Sequence, residues 1–207
     1  MPTSNTENKG FIPLVRRALY RARFPILTVA LVYFVSVVVG ILMVQSGNAF
    51  AISTRNQIVS GAQSSPALVS LGQGSRLQAA LFDFGGNLFA GVSSFLAGLG
   101  VVFPYPFIAY RGWVGGIVSI DGTGASRLAD ARQAVYYLVT LVLQLIPYTL
   151  AGGAGVNLGL SLYRQKPYYQ GKKWLGVSKV ALGDALRIFL LTVPLFLIAS
   201  LWEFLMV

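Results

Sequence analysis

AALFDFGGNLFAGVSSFLAGLGVVFPYPFIAYRGWVGGIVSI, residues 79–120, is apolar nearly throughout, rich in glycine, and broken once by Pro104-Tyr105-Pro106. Asp83, Asn87 and Arg111 interrupt it. Roughly 20 apolar residues in a helix cross the hydrocarbon core of a bilayer, so a run of this length reads as membrane-spanning. Ionisable and amide groups are costly at that depth and turn toward a bundle interior, a wet cavity or the interface. Small residues let helix backbones approach where lipid supplies no hydrophobic drive. The stretch therefore predicts two spans folded back on each other at the packed centre of a helical membrane protein.

Composition extends that reading to the whole chain. Of 207 residues, 55% are hydrophobic and 11% charged, and the mean hydropathy is +0.68. Soluble domains carry about 25% charged residues. The expected fold class is all-α, a polytopic helical membrane protein; continuous apolar runs, rather than short alternating ones, argue against a transmembrane barrel. The net charge of +10 raises nucleic acid as a partner. Lys and Arg beside spans, where they set orientation and meet anionic lipid, explain the charge better. The chain has no cysteine and no histidine, which removes thiol chemistry and the commonest general base and transition-metal ligand.

Outward from the central stretch, five spans are expected, at about 24–44, 77–103, 107–120, 134–163 and 188–207, forming one membrane domain over 24–207. Residues 1–23 form a basic cytoplasmic segment with Lys9, Arg16, Arg17, Arg21 and Arg23; its part from Phe11 onward has weak amphipathic character. The first apolar run is too long for a signal peptide, which points to an uncleaved anchor. Residues 45–78 read as an external loop with one short interfacial helix near 56–71. Pro104-Tyr105-Pro106 reads as an inner turn, with Arg111 snorkelling to the cytoplasmic interface. The third segment is short for a span and reads as tilted or re-entrant. Pro147 predicts a kinked fourth span, with two half-spans as the alternative. Arg164, Lys166, Lys172, Lys173, Lys179 and Arg187 stand against the single acid Asp184 and mark a cytoplasmic segment. With this topology twelve of the sixteen Lys and Arg residues fall on the inner side, so the N-terminus is expected inside and the C-terminus outside, in the plasma (inner) membrane.

The residues that could carry chemistry are few. Asp83 and Asn87 share a helix face; the choice lies between an ion or proton site and an outer cap with an interhelical bond. Glu203, beside Trp202, lies at a similar depth and is expected to cap, or to pair with Arg76 or Arg132. Gln144, Pro147 and Asn157 are the polar or kinking features of the fourth span, as found in transporters and in ordinary bundles. Gly152, Gly153 and Gly155 read as a close-packing surface, as do Gly85, Gly86, Gly98, Gly100, Gly112, Gly115 and Gly116. Tyr105, Phe107, Tyr110 and Trp113 read as an interface belt. No nucleophile, metal set or phosphate cradle accompanies the two carboxylates, so no enzymatic role and no cofactor are expected.

Four motifs, in order, carry a resemblance: FGGNLFAGVSSFLAGLG at 84–100 with Asn87 early in its span, YRGWVGG at 110–116, LAGGAGVNLG at 150–159, and VPLFLIASLWEF at 193–204 with Glu203 near its end. From Phe24 onward the chain resembles the stage II sporulation protein M family of membrane proteins. The resemblance implies a five-span fold and, for sporulation members, a membrane anchor that assembles peptidoglycan-remodelling proteins. The His-Gly and Glu that often precede the AGGAG segment are absent here, with Gln144 as the nearest polar residue, and the expected Asn-Gly is Arg111-Gly112. A proton-linked or metal role of that His and Glu does not carry over. Two functions follow: a non-enzymatic scaffold or accessory subunit with membrane lipid and other membrane proteins or a second copy as partners and no nucleic acid, or else a subunit of a small-solute or ion transporter.

Overall fold

The computed structural model describes residues 10–121, 123–164, 167–170, 173–174 and 176–206. Its helices are α1 (Phe11–Gln45), α2 (Ala49–Gln63), α3 (Pro66–Gly72), α4 (Arg76–Ala97), α5 (Pro104–Ile117), α6 (Ala131–Tyr163) and α7 (Lys179–Leu205). One two-residue antiparallel hairpin pairs β1 (Lys173–Trp174) with β2 (Val177–Ser178). Lys9, Lys166 and Lys172, to which the sequence reading gives places in basic segments, lie outside the described residues, as does Val207.

Local chemistry sets the helix starts. Asn48, Ser65 and Asp130 accept backbone N–H groups at the starts of α2, α3 and α6, which satisfies donors the helix itself cannot reach. Pro66 and Pro104 sit in the first turn, where a missing N–H costs nothing. The turn expected at Pro104-Tyr105-Pro106 therefore lies just before it. A 3-10 turn at Gly98–Gly100 and Val101, at φ 61°, reverse the chain, and the prolines open α5.

Two stripes on α1 explain how it sits. Val15, Ala18, Ala22, Val29, Tyr33, Val37 and Val44 recur at helical spacing and are buried, while Phe24, Leu27, Leu31, Phe34, Val38 and Leu42 are exposed. Large apolar side chains outside and smaller ones inside suit a lipid surround, because a continuous exposed apolar face of this size is foreign to a soluble monomer. The N-terminal segment is not a separate unit within the described residues: α1 runs unbroken through position 23, and Ala18 and Ala22 pack with Ala154, Ala181, Ala185 and Ile188. Likewise α7 begins at Lys179, so the basic residues Lys179 and Arg187 belong to the last helix. The segment over 45–78, expected to be an external loop with one helix, holds two helices, α2 and α3.

Contacts fix the helix directions. Thr28 meets Tyr105, and Gly112 and Gly116 lie on the backbone of Tyr33 and Val37, so α1 and α5 run in parallel. Asn87 meets Tyr148, and Gly155 and Gly159 lie on Phe95 and Gly98, so α4 and α6 run in parallel. Ser200 meets Asp83 and Gly91 lies under Phe196, so α7 opposes α4. The starts of α1, α5 and α7 therefore share one end of the bundle, and the described termini lie at opposite ends.

Four helical stretches are long and apolar enough to cross a membrane: Phe11–Gln45, Arg76–Gly100, Ala131–Tyr163 and Lys179–Leu205. With 14 residues, α5 is not among them; at 1.5 Å per residue it reaches roughly 21 Å, short of the hydrocarbon core. α6 is one helix through Pro147 rather than two half-spans.

Candidate functional site: an intramembrane polar network

At the centre of the bundle, three helices meet through side-chain hydrogen bonds. Asn87 on α4 donates Nδ2 to Asp83 Oδ2 at 2.8 Å, and Ser200 on α7 donates Oγ to the same oxygen at 2.7 Å. The Tyr148 hydroxyl on α6 donates to Asn87 Oδ1 at 2.6 Å. Its ring lies edge-on to the fully buried Phe196, with centroids 4.9 Å apart. Asp83 thus lies within the helix and binds across it; it is not an outer cap.

A second link lies beside the first. Gln144 donates Nε2 to Glu203 Oε2 at 2.8 Å. Glu203 therefore meets Gln144 rather than Arg76 or Arg132. One turn earlier on α6 the Trp202 indole donates to Thr140 at 3.2 Å, and a further turn away the Tyr136 hydroxyl donates to the Glu203 carbonyl at 2.6 Å. Trp202 thus joins two helices. The expected aromatic belt is also dispersed: Tyr105 bonds Thr28 at 2.8 Å, and Trp113 stacks on Phe50 at 5.6 Å. Eight residues of helix separate those two aromatics, about 12 Å along the axis, which is too far for one interfacial level.

Arg111 is the residue whose position differs most from expectation. It does not reach an interface beside the chain reversal. Its guanidinium lies 5.4 Å from the Tyr148 ring centroid and 5.8 Å from that of Phe107. With Asp83, Asn87 and Gly86 it lines a cleft of about 440 Å³ between α4 and α5, closed on one side by Ser65, Pro66 and Ala67. Among the described residues Arg111 makes no hydrogen bond and no salt bridge.

The glycines separate into two kinds. A Cβ on Gly155 would stand 2.2 Å from the Phe95 carbonyl oxygen, one on Gly153 2.6 Å from Ile26 Cα, and one on Gly152 3.0 Å from Ser94 Oγ. Gly153 and Gly155 bring α6 against the backbones of α1 and α4, whereas Gly152 packs on the Ser94, Val29 and Ile108 side chains. Gly98, Gly112, Gly115 and Gly116 are similarly closed, and Gly100 meets the Phe103 ring. Gly85 and Gly86 are different: nothing lies within 4 Å of either position. The packing role expected of these two is absent within the described chain. Pro147 is fully buried, and lacking an N–H it leaves the Leu143 carbonyl without its usual helical donor.

Asn157 is fully buried and donates Nδ2 to the Tyr169 hydroxyl at 2.7 Å, which fastens the connection before α7 to α6. Burial pushes the Tyr169 hydroxyl up to about 12, so it stays protonated at any physiological pH. At the other end, the Thr123 hydroxyl and the Ala125 N–H hold the Asp121 carboxyl below the usual range, so the loop carboxylate is satisfied by its own loop.

Tyr148 and Ser200 were not singled out in the sequence, and Asp184 was named there only as the single acid of a basic segment. Asp184 accepts from Arg21 at 3.0 Å and from Arg187 at 3.3 Å. The one signal in the sequence was its isolation among cations. Among the described residues no three His, Cys, Asp or Glu side chains converge on a point.

Tyr148→Phe removes a buried donor and leaves Asn87 Oδ1 unpaired. Side-chain hydrogen bonds within membranes are worth roughly 0.6 kcal/mol on average and up to about 1.7. We expect a loss of about 1 kcal/mol, read from reversible denaturation in mixed micelles; an unchanged midpoint would show that the bond contributes nothing.

Comparison with protein-family models, with curated proteins and with solved structures returned no match.

Proposed function

We propose that this chain is a non-enzymatic integral membrane subunit that assembles with other membrane proteins. In this reading the inner membrane holds five helices, four long spans and the shorter α5, with the N-terminus in the cytoplasm and the C-terminus outside. That is the arrangement which likeness to stage II sporulation protein M would imply. One observation carries the reading: Arg111 and the open glycine face of α4 lie side by side. A guanidinium in this depth range is costly without a close anionic partner; among the described residues Arg111 has the Phe107 and Tyr148 rings and the Asp83 carboxylate across the cleft, but no hydrogen bond and no salt bridge. Next to it, Gly85 and Gly86 are open where the chain's other helix-packing glycines are filled. Exposed Phe82 and Phe89 flank them. A helix from a partner, carrying a carboxylate at the level of Arg111, meets both needs at once. The remaining polar groups support the same reading, since their hydrogen bonds tie α4, α6 and α7 to one another.

The test is affinity purification from native membranes in mild detergent with crosslinking, comparing the wild type with Arg111→Gln and Gly86→Leu. A stoichiometric protein recovered with the wild type and lost from both variants, with their folding intact, supports the proposal. Equal recovery from all three, or none even after crosslinking, overturns it.

The cleft itself favours a second reading, a solute transporter subunit, because Asp83, Asn87 and Arg111 all border it. Liposome flux with Asp83→Asn and Arg111→Gln decides: lost flux with intact assembly favours transport.

A further inference from the structure

At the end of the bundle shared by the starts of α1 and α7, Arg17, Arg21, Lys179 and Arg187 border one cleft of about 430 Å³. Its only acid is Asp184, which is 2% exposed. Both oxygens of that carboxylate are occupied, Oδ2 by Arg21 and Oδ1 by Arg187. A guanidinium carries five donors, so each of these two keeps donors beyond the one that Asp184 takes. Arg17 and Lys179 are exposed and, among the described residues, make no ion pair. Four cations thus face a carboxylate that can neutralise only one.

The depth of this cleft narrows what could balance it. Arg23 is the last charge before the long apolar run of α1, so the cleft lies one to two turns outside the apolar core. Leu14 and Val180 border it together with the cations. Toward the apolar core, exposed Phe24, Leu27 and Leu31 continue as an apolar track along α1, with the Arg23 guanidinium over the Phe24 ring. Ser178, ahead of α7, makes no side-chain cap, so the first N–H groups of that helix add positive potential at the same end. Guanidinium groups match phosphate oxygens in pairs, and the apolar track suits an acyl chain.

We propose that this cleft binds the phosphate of an anionic phospholipid from the leaflet at that end of the bundle, with its acyl chains lying along α1. Arg17 and Lys179 make the decisive contacts, since Arg21 and Arg187 are already held by Asp184. This inference stands apart from the scaffold reading, because it uses neither Arg111 nor the glycine face.

The test uses the purified full chain and vesicles of phosphatidylcholine with or without phosphatidylglycerol, read by lipid retention in native mass spectrometry and by lipid-dependent thermal stability. Arg17→Gln with Lys179→Gln removes two exposed cations that hold nothing in the fold. Arg76→Gln with Arg132→Gln removes the same charge from the opposite end. Each basic residue near an anionic surface is worth about 1 kcal/mol, so the first pair should weaken phosphatidylglycerol binding by roughly tenfold or more. The second pair should leave it unchanged, and the wild type should retain about one lipid per chain, less at high salt. Equal weakening by both pairs, or none by the first, overturns the site. Inorganic phosphate that stabilises the chain as well as phosphatidylglycerol does would place the ligand in solution and overturn the lipid assignment.

Discussion

Gly155→Val should unfold the bundle, whereas Gly86→Val should leave the purified chain as stable as before. At position 155 a Cβ would stand 2.2 Å from the Phe95 carbonyl oxygen and 2.9 Å from its carbon. These are backbone atoms and cannot rotate aside, so α4 and α6 would have to separate. The same interface holds Gly98, whose Cβ would meet Gly155, and Gly159, whose Cβ would meet the Gly98 oxygen at 2.3 Å. One shift therefore loosens several contacts, and in lipid such dispersion contacts are the main force between helices. Overpacking a core usually costs about 1–3 kcal/mol; with backbone on both sides we expect about 3 kcal/mol or more. Gly91 is a useful contrast, because the atoms its Cβ would meet belong to the Phe196 ring, at 2.6 Å. A ring can shift, so Gly91→Ala should cost less. At Gly86 nothing lies within 4 Å, and replacing a helical glycine recovers a few tenths of a kcal/mol of backbone entropy. Thermal unfolding in mild detergent, with size-exclusion chromatography, reads all three. A wild-type midpoint for Gly155→Val would sink the argument.

These glycines show where a sequence stops being informative. Gly86 and Gly116 both sit in apolar runs, and both read as packing positions. What separates them is whether another backbone lies opposite: Gly116 faces Val37, and Gly86 faces open space. That is a non-local fact. The network around Asp83 divides in the same way. Asp83 and Asn87 are four residues apart, so their shared face follows from helix geometry. Tyr148 and Ser200, which complete the network, lie 61 and 117 residues away from their partners. Nothing local distinguishes Tyr148 from the other tyrosines.

Arg111 went astray for a different reason. Proline near a charge reads as a membrane boundary, but prolines also open helices. Pro104 does so here after a 3-10 turn, and α5 carries Arg111 up to the level of Tyr148 and Gly112 to that of Tyr33. The long apolar runs behind four helices were legible because length and hydropathy suffice for them. The start of α1 was obscured by arginines, although Val15, Ala18 and Ala22 keep the helical spacing of the buried stripe.

Asp184→Ala should be the most damaging change of a single charged residue. The carboxylate is 2% exposed and joins α7 to Arg21 of α1, 163 residues away in sequence. Around it pack Ala18, Ala22, Ala181, Ala185 and Ile188. Removing it leaves two guanidiniums beside an apolar cluster with no counter-charge. Deleting one member of a buried pair costs about 3–5 kcal/mol. The Arg21 and Arg187 side chains are 26% and 32% exposed, so water reclaims part of each, and a loss of about 2–3 kcal/mol is the reasonable expectation. A loss of less than about 0.5 kcal/mol, the scale of an ordinary surface change, would show that the pair is solvated in practice. A second variant separates charge from packing. Replacing a whole buried ion pair with apolar residues of similar volume is often neutral. Asp184→Leu combined with Arg21→Met should therefore recover most of the stability that Asp184→Ala loses, in the same detergent unfolding assay. If the double variant is no more stable than the single one, the contribution of Asp184 lies in its bond to Arg187 within α7. The link between α1 and α7 would then rest on the alanine contacts alone.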